Sequence, residues 1–204
     1  MKPVSYTKNK QNPNWVLYIL CRNLLIIAFL LPAWAGAQQP NNSLFLQSLQ
    51  TNLHPANRLT DRFEAEVWLM DMSQRMKLFI ADPQKRIQLL QMVHREASHA
   101  KLPPELVLAL IQTESSFDRF AVSSAGAQGL MQIMPFWKDV IGQPDDNLID
   151  IKTNLRYGST ILNRYLERES GNLTRALARY NGSLGQTWYP ERVFENWHRH
   201  WRND

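Results

Sequence analysis

Apolar positions along this 204-residue chain fall mostly at three- and four-residue spacing, the period of an amphipathic helix, and no run alternates with period two. A first run passes from Phe63 through Val67 and Met70 to Lys77, with Thr60 or Asp61 able to cap it. Asp82-Pro83 sets a capping carboxylate ahead of a first-turn proline and opens a helix with Ile87, Leu90 and Val93 on one face. Pro103-Pro104-Glu105 starts another, from Leu106 to about Ser115, and the Gly- and Ser-rich stretch Ser123 to Gly129 reads as a loop. Pro135 begins a short helix ending near Gly142; Asp150 caps one from 151 to about 168, Gly171 ends it, and Thr174 begins the next. The expected fold is all-α, about seven short helices with function carried on the loops.

The first 58 residues read differently. Lys2, Lys8 and Lys10 precede an apolar stretch, Leu24 to Leu31, then Pro32 and Ala35-Gly36-Ala37. A basic start, a short apolar core and a small-x-small site predict an export signal over 1–37, cut after Ala37. Arg22 and Asn23 leave apolar pieces shorter than the roughly 20 residues a bilayer span needs. An uncleaved anchor from Trp15 to Trp34 is the alternative. The lone cysteine, Cys21, lies ahead of the apolar stretch rather than directly behind it, which argues against lipid anchoring and leaves the mature chain without a thiol. Residues 38–58, rich in Gln, Asn and Pro, read as a linker, and 59–88 as a helical extension ahead of the main domain, 89–204. The net charge of +5 belongs mostly to the leader: it holds four of the 23 basic residues and no acidic one, so 19 basic residues face 18 acidic ones elsewhere. A nucleic-acid partner is therefore not expected. With 44% hydrophobic residues there is ample material for a core.

On the helix from Leu106, the stripe Val107, Leu110 and Ile111 continues to Glu114. A carboxylate on a buried face loses hydration, which raises its pKa and keeps it protonated near neutral pH, as a general acid requires. At a frayed helix end the same residue would simply face solvent. Two further segments bear on the choice. Gly129-Leu130-Met131-Gln132-Ile133-Met134-Pro135 is a small-residue loop entering an apolar run, where glycine lets backbone approach a ligand and Gln132 is either bonded internally or displayed. Ala178-Arg179-Tyr180-Asn181-Gly182 ends a helix with a phenol and an amide beside a glycine.

Together with Glu114-Ser115-Ser116-Phe117, these blocks resemble, in order and spacing, the three motifs of the soluble lytic transglycosylase family over about residues 90 to 195. Arg179 departs from the small residue common before the tyrosine. The resemblance implies a lysozyme-like helical domain with additional N-terminal helices. It also implies lytic cleavage of the peptidoglycan bond between N-acetylmuramic acid and N-acetylglucosamine, giving 1,6-anhydro ends. One catalytic glutamate, Glu114, would act without a carboxylate nucleophile. Tyr180 would hydrogen-bond it, Asn181 would help position substrate, Gly129, Met131 and Gln132 would line the cleft, and Ser115 would support them. Asp118, on Glu114's own side, does not suit the second carboxylate of a glycosidase pair, which must flank the bond.

Alternatives are a hydrolytic muramidase using the same glutamate, and a non-catalytic glycan-binding or assembly protein. The partners implied are peptidoglycan strands, with peripheral contact to membrane or envelope assembly proteins conceivable. The compartment is the exterior, the periplasm if the source is Gram-negative. Trp137, Tyr157, Tyr165, Trp188 and Tyr189 are candidates for sugar stacking, though aromatics at helical spacing more often pack in cores. The segment Arg192 to Arg202, which begins next to Glu191 and contains Glu195, reads as an amphipathic closing helix. No cofactor or metal is expected. His94 and His99 do not share a helix face, and Asp145-Asp146-Asn147 lacks the glycine and distal glutamate of a calcium loop.

Overall fold

In a computed structural model the structure describes residues 59–202, all within one compact unit. The expected signal and linker, 1–58, lie outside the described residues. Among the described residues the chain is helical, with two isolated β-bridges, Val122 with Gln128 and Gln128 with Ile133. The all-α expectation holds. No described helix is long and apolar enough to cross a membrane.

Helix α1, Leu59–Met76, packs on α2, Pro83–His99. The residues that mark α1 in the sequence, Phe63, Val67 and Met70, lie on its exposed side, while Leu69, Met72 and Met76 are buried. Asp82 caps α2 by accepting from the Gln84 and Lys85 amides, as its place before Pro83 predicts. Buried Arg86 donates to the carbonyls of Ile80 and Ala81 and to Ser73 Oγ, so the turn between the two helices is closed from within.

Helix α3, Pro104–Ser115, is central among the described residues. Leu106 through Ile111 are each 1% exposed or less, so α3 is buried all round rather than along one stripe. It packs against α2 and, on its other sides, against α7, Trp188–Asn196, and a π-helical turn, Trp197–Trp201. Helices α4, Trp137–Ile141, α5, Ile151–Arg168, and α6, Leu173–Asn181, intervene in sequence. Asp150 caps α5 and Asn172 caps α6; Gly182, at φ +81°, ends α6 in the left-handed region. Glu169, just past α5, pairs with both Arg175 and Arg179 of α6. The segment from Arg192 does close the molecule, but as the end of α7 and the π turn, with Trp201 fully buried.

Candidate active site

Helix α3 stops abruptly one residue after Glu114. Ser116 and Phe117 both take positive φ, +50° and +67°, an unfavourable conformation for non-glycine residues that the surroundings must enforce. Phe117 is held by Phe79 and Trp201, with ring centroids 4.9 and 5.5 Å away. Glu114 is thereby fixed in the last turn of a buried helix rather than on a fraying end.

Its carboxyl sits among three side chains from two other helices. Tyr189 of α7 donates its hydroxyl to Glu114 Oε1. Arg192 of the same helix and Tyr180 of α6 also face it closely enough to couple electrostatically. Burial raises the carboxyl pKa to about 7, against the smaller lowering effects of the Tyr189 hydrogen bond and the Arg192 charge. Both phenols are pushed well above the usual tyrosine range, first by burial and then by the nearby glutamate, so each remains a donor. The site combines a carboxyl whose pKa is raised to about 7 with donors that stay protonated.

Tyr180 does not supply the expected hydrogen bond to Glu114. Its hydroxyl donates instead to the Met131 carbonyl at 2.8 Å. Tyr189, expected at most to stack on sugar, is 2% exposed and makes the bond to the acid. The sequence does carry a signal for it: Tyr189 and Val193 are four apart on the buried side of α7. A phenol on an apolar face needs a partner.

The Gly129–Met134 loop is built from below by a residue that sequence reading passed over. Asn154 of α5 is 1% exposed; its Oδ1 accepts from the Met131 amide at 2.8 Å, and its Nδ2 donates to the carbonyls of Gln128 and Leu148, each at 2.8 Å. Gly129, at φ +75°, passes so close that a Cβ there would stand 2.5 Å from Asn154 Nδ2. Ser115 ties the loop to α3, its hydroxyl donating to the Leu130 carbonyl at 2.8 Å. Gln132, at φ +48°, turns its amide inward, donating to the carbonyls of Ala121 and Gly129 at 3.1 and 3.0 Å. The Met131 side chain does not line a cleft; it is fully buried against α5, where a Cβ on Gly158 would lie 2.3 Å from its sulfur. Of the expected cluster, Ser115, Met131 and Tyr180 are thus linked through one loop beside Glu114, which bonds to Tyr189 instead, while Asn181 lies exposed at the end of α6.

Asp118 is exposed and its Oδ1 accepts from the Phe120 amide, a local turn and not a partner for Glu114. Tyr157 is buried and donates to Asp146; Trp137 packs edge-on against Tyr165. Trp188 is half exposed beside Tyr189, with the Arg192 guanidinium carbon 5.7 Å from its ring centroid. Among the described residues no group of three or more His, Cys, Asp or Glu side chains could hold a metal ion.

Against known proteins, residues 91–196 match the family model described as the transglycosylase SLT domain. The chain is similar to a transglycosylase of Enterobacteria phage PRD1, 32% identical over 117 residues, covering 54% of this chain and 43% of that protein. It is also similar to the membrane-bound lytic murein transglycosylase C of Yersinia pestis (strain Pestoides F), 34% identical over 112 residues, 47% of this chain and 31% of that one. The match thus spans less than half the length of either relative. Among solved structures, that of an inactive mutant of the lytic transglycosylase Slt from Pseudomonas aeruginosa overlaps 54% of this chain and 18% of its own, with 30% identity and a TM-score of 0.40. The 70 kDa soluble lytic transglycosylase of Escherichia coli overlaps 67% and 23%, with 21% identity and a TM-score of 0.41. With three motifs in order and a family model matched over more than half its length, the chain belongs to the transglycosylase SLT domain family.

Proposed function

We propose that this protein is an exported peptidoglycan lytic transglycosylase in which Glu114 alone serves as acid and then as base. The observation that carries this reading is the Glu114 carboxyl itself, half-buried at the end of the central helix, bonded by Tyr189 and with its pKa raised to about 7 by the loss of hydration.

Protonated Glu114 gives its proton to the oxygen joining N-acetylmuramic acid to N-acetylglucosamine, and the bond to the anomeric carbon breaks. The muramyl N-acetyl oxygen bonds to that carbon in place of a protein nucleophile, which fits the exposed position of Asp118, turned to the Phe120 amide and not to Glu114. Glu114, now a carboxylate, takes the proton of the 6-hydroxyl, whose oxygen closes on the anomeric carbon and displaces the N-acetyl oxygen. The acid is regenerated and no water is consumed. Tyr189 steadies the carboxylate between the two steps. Gly129 and Gln132 shape the wall of the cleft and Asn181 stands at its rim. Met131 and Ser115 act from beneath, holding the loop through the contacts to Tyr180, Asn154 and Leu130. Residues 1–37 serve as the export signal and 59–88 as an extension ahead of the domain.

Lysis of peptidoglycan by wild type and by Glu114→Gln tests the reading. Loss of general acid–base work should lower the rate by roughly 10² to 10⁴. Wild-type activity should also decline as pH rises through about 7, because the first step needs the protonated acid. Undiminished lysis by the variant overturns the assignment.

A further inference from the structure

One cluster of polar side chains is not used by the mechanism yet lies against the helix that carries it. Gln112 and Thr113 immediately precede Glu114. Trp201, at the end of the π turn, donates its indole N–H to Gln112 Oε1 at 2.7 Å. Gln112 Nε2 donates to Asn196 Oδ1 at 3.0 Å, and Asn196 Nδ2 to Thr113 Oγ1 at 2.9 Å. Thr113 then donates to the Ala109 carbonyl at 2.8 Å. An indole can only donate and a carbonyl can only accept, so both ends of this chain of four bonds are fixed and each amide between them has one permitted orientation.

Asn196 is the last residue of α7, and Tyr189 is the second. They stand seven apart, two helical turns, and so share a face with Val193. The same face of α7 therefore meets α3 at Gln112 and Thr113 and presents the phenol to Glu114. The outer end of the array is fastened too. Arg75 of α1 donates to the carbonyls of His200 and Arg202, each at 3.2 Å, and Phe79 packs on Trp201 with centroids 6.0 Å apart. Slippage of α7 along α3 would break the array before it lost apolar contact, because hydrogen bonds are directional and burial is not.

We propose that Gln112, Asn196 and Trp201 are positioning residues that lock α7 on α3 and so hold the Tyr189 hydroxyl on the Glu114 carboxyl. This rests on Glu114 being the catalytic acid. The groups facing Glu114 are Tyr180 from α6 and Tyr189 and Arg192 from α7; two of the three ride on the helix the array fixes.

The test is the titration of Glu114, followed by carbon-13 NMR of its side-chain carboxyl, assigned by its absence in Glu114→Gln. Tyr189→Phe removes a bond to the charged form, so the Glu114 titration should move up by about one pH unit. Asn196→Leu, of similar size but unable to bond, should move it in the same direction, and should add nothing when Tyr189→Phe is already present. Trp201→Phe keeps an aromatic ring against Phe79 and Phe117 while removing the donor and part of the ring volume; it carries the same cycle should Asn196→Leu fail to fold. A variant that lowers the melting temperature but leaves the Glu114 titration where it was, or shifts it equally without the Tyr189 hydroxyl, overturns the proposal. Because the readout needs no substrate, its failure leaves the catalytic assignment standing, whereas a wild-type protein that does not lyse peptidoglycan refutes that assignment without touching the titration.

Discussion

A carboxyl whose pKa is raised from 4.5 to about 7 is held protonated by the fold at a cost in stability. Between those pH values the folded protein keeps a proton that the unfolded chain has released, so stability falls as pH rises through the window and the loss is complete above about 7. Glu114→Gln removes this dependence. We expect the variant to be the more stable protein at pH 8, by about 3 kcal/mol at most, with little difference at pH 4, as urea unfolding at the two pH values would show. Glu114 was legible in the sequence because three blocks resembling one family's motifs occur in order; the apolar stripe alone left it between a buried acid and a solvated helix end. The partner was not: Tyr180 and Tyr189 are both phenols on neighbouring helices, and which one reaches the acid depends on how α6 and α7 are seated, a tertiary fact. In the structure Tyr180 spends its hydroxyl on the Met131 carbonyl. Tyr180→Phe should therefore loosen the loop and lower the melting temperature while moving the Glu114 titration less than Tyr189→Phe does.

At the scale of the element, the Gly129–Met134 loop depends on an amide from a different helix. Asn154→Leu would leave the Met131 amide and the Leu148 carbonyl without their Asn154 bonds, the Gln128 carbonyl keeping only the Ile133 amide, and should cost about 2–4 kcal/mol by thermal or urea unfolding. It should also lower activity, since the loop carries Gly129 and Gln132. Helix positions and caps followed from sequence well: Asp82, Asp150, Gly171 and Gly182 all mark real boundaries. Burial followed less well. Spacing alone cannot say that α3 is surrounded or that Phe63, Val67 and Met70 of α1 face outward, because periodicity defines a stripe and not what covers it. Asn154 was readable in principle, as one amide on the apolar side of α5 shared with Tyr157, Gly158 and Ile161, which demands partners of its own.

The described residues are organised around α3, with the segment after α1 and the C-terminal turn closing on its far end. Phe79, Phe117 and Trp201 form one aromatic cluster there, behind the turn that terminates α3 after Glu114. Trp201→Ala would empty the largest fully buried side chain of that cluster and should destabilise the protein by about 3–5 kcal/mol in urea unfolding. The most direct measurement of the central claim is mass spectrometry of purified peptidoglycan digested by the wild-type protein and by Glu114→Gln. A single acid that returns its proton predicts muropeptides lacking one water relative to reducing-end products, and none of them from the variant. Reducing ends, or unchanged products without the Glu114 carboxyl, would contradict it.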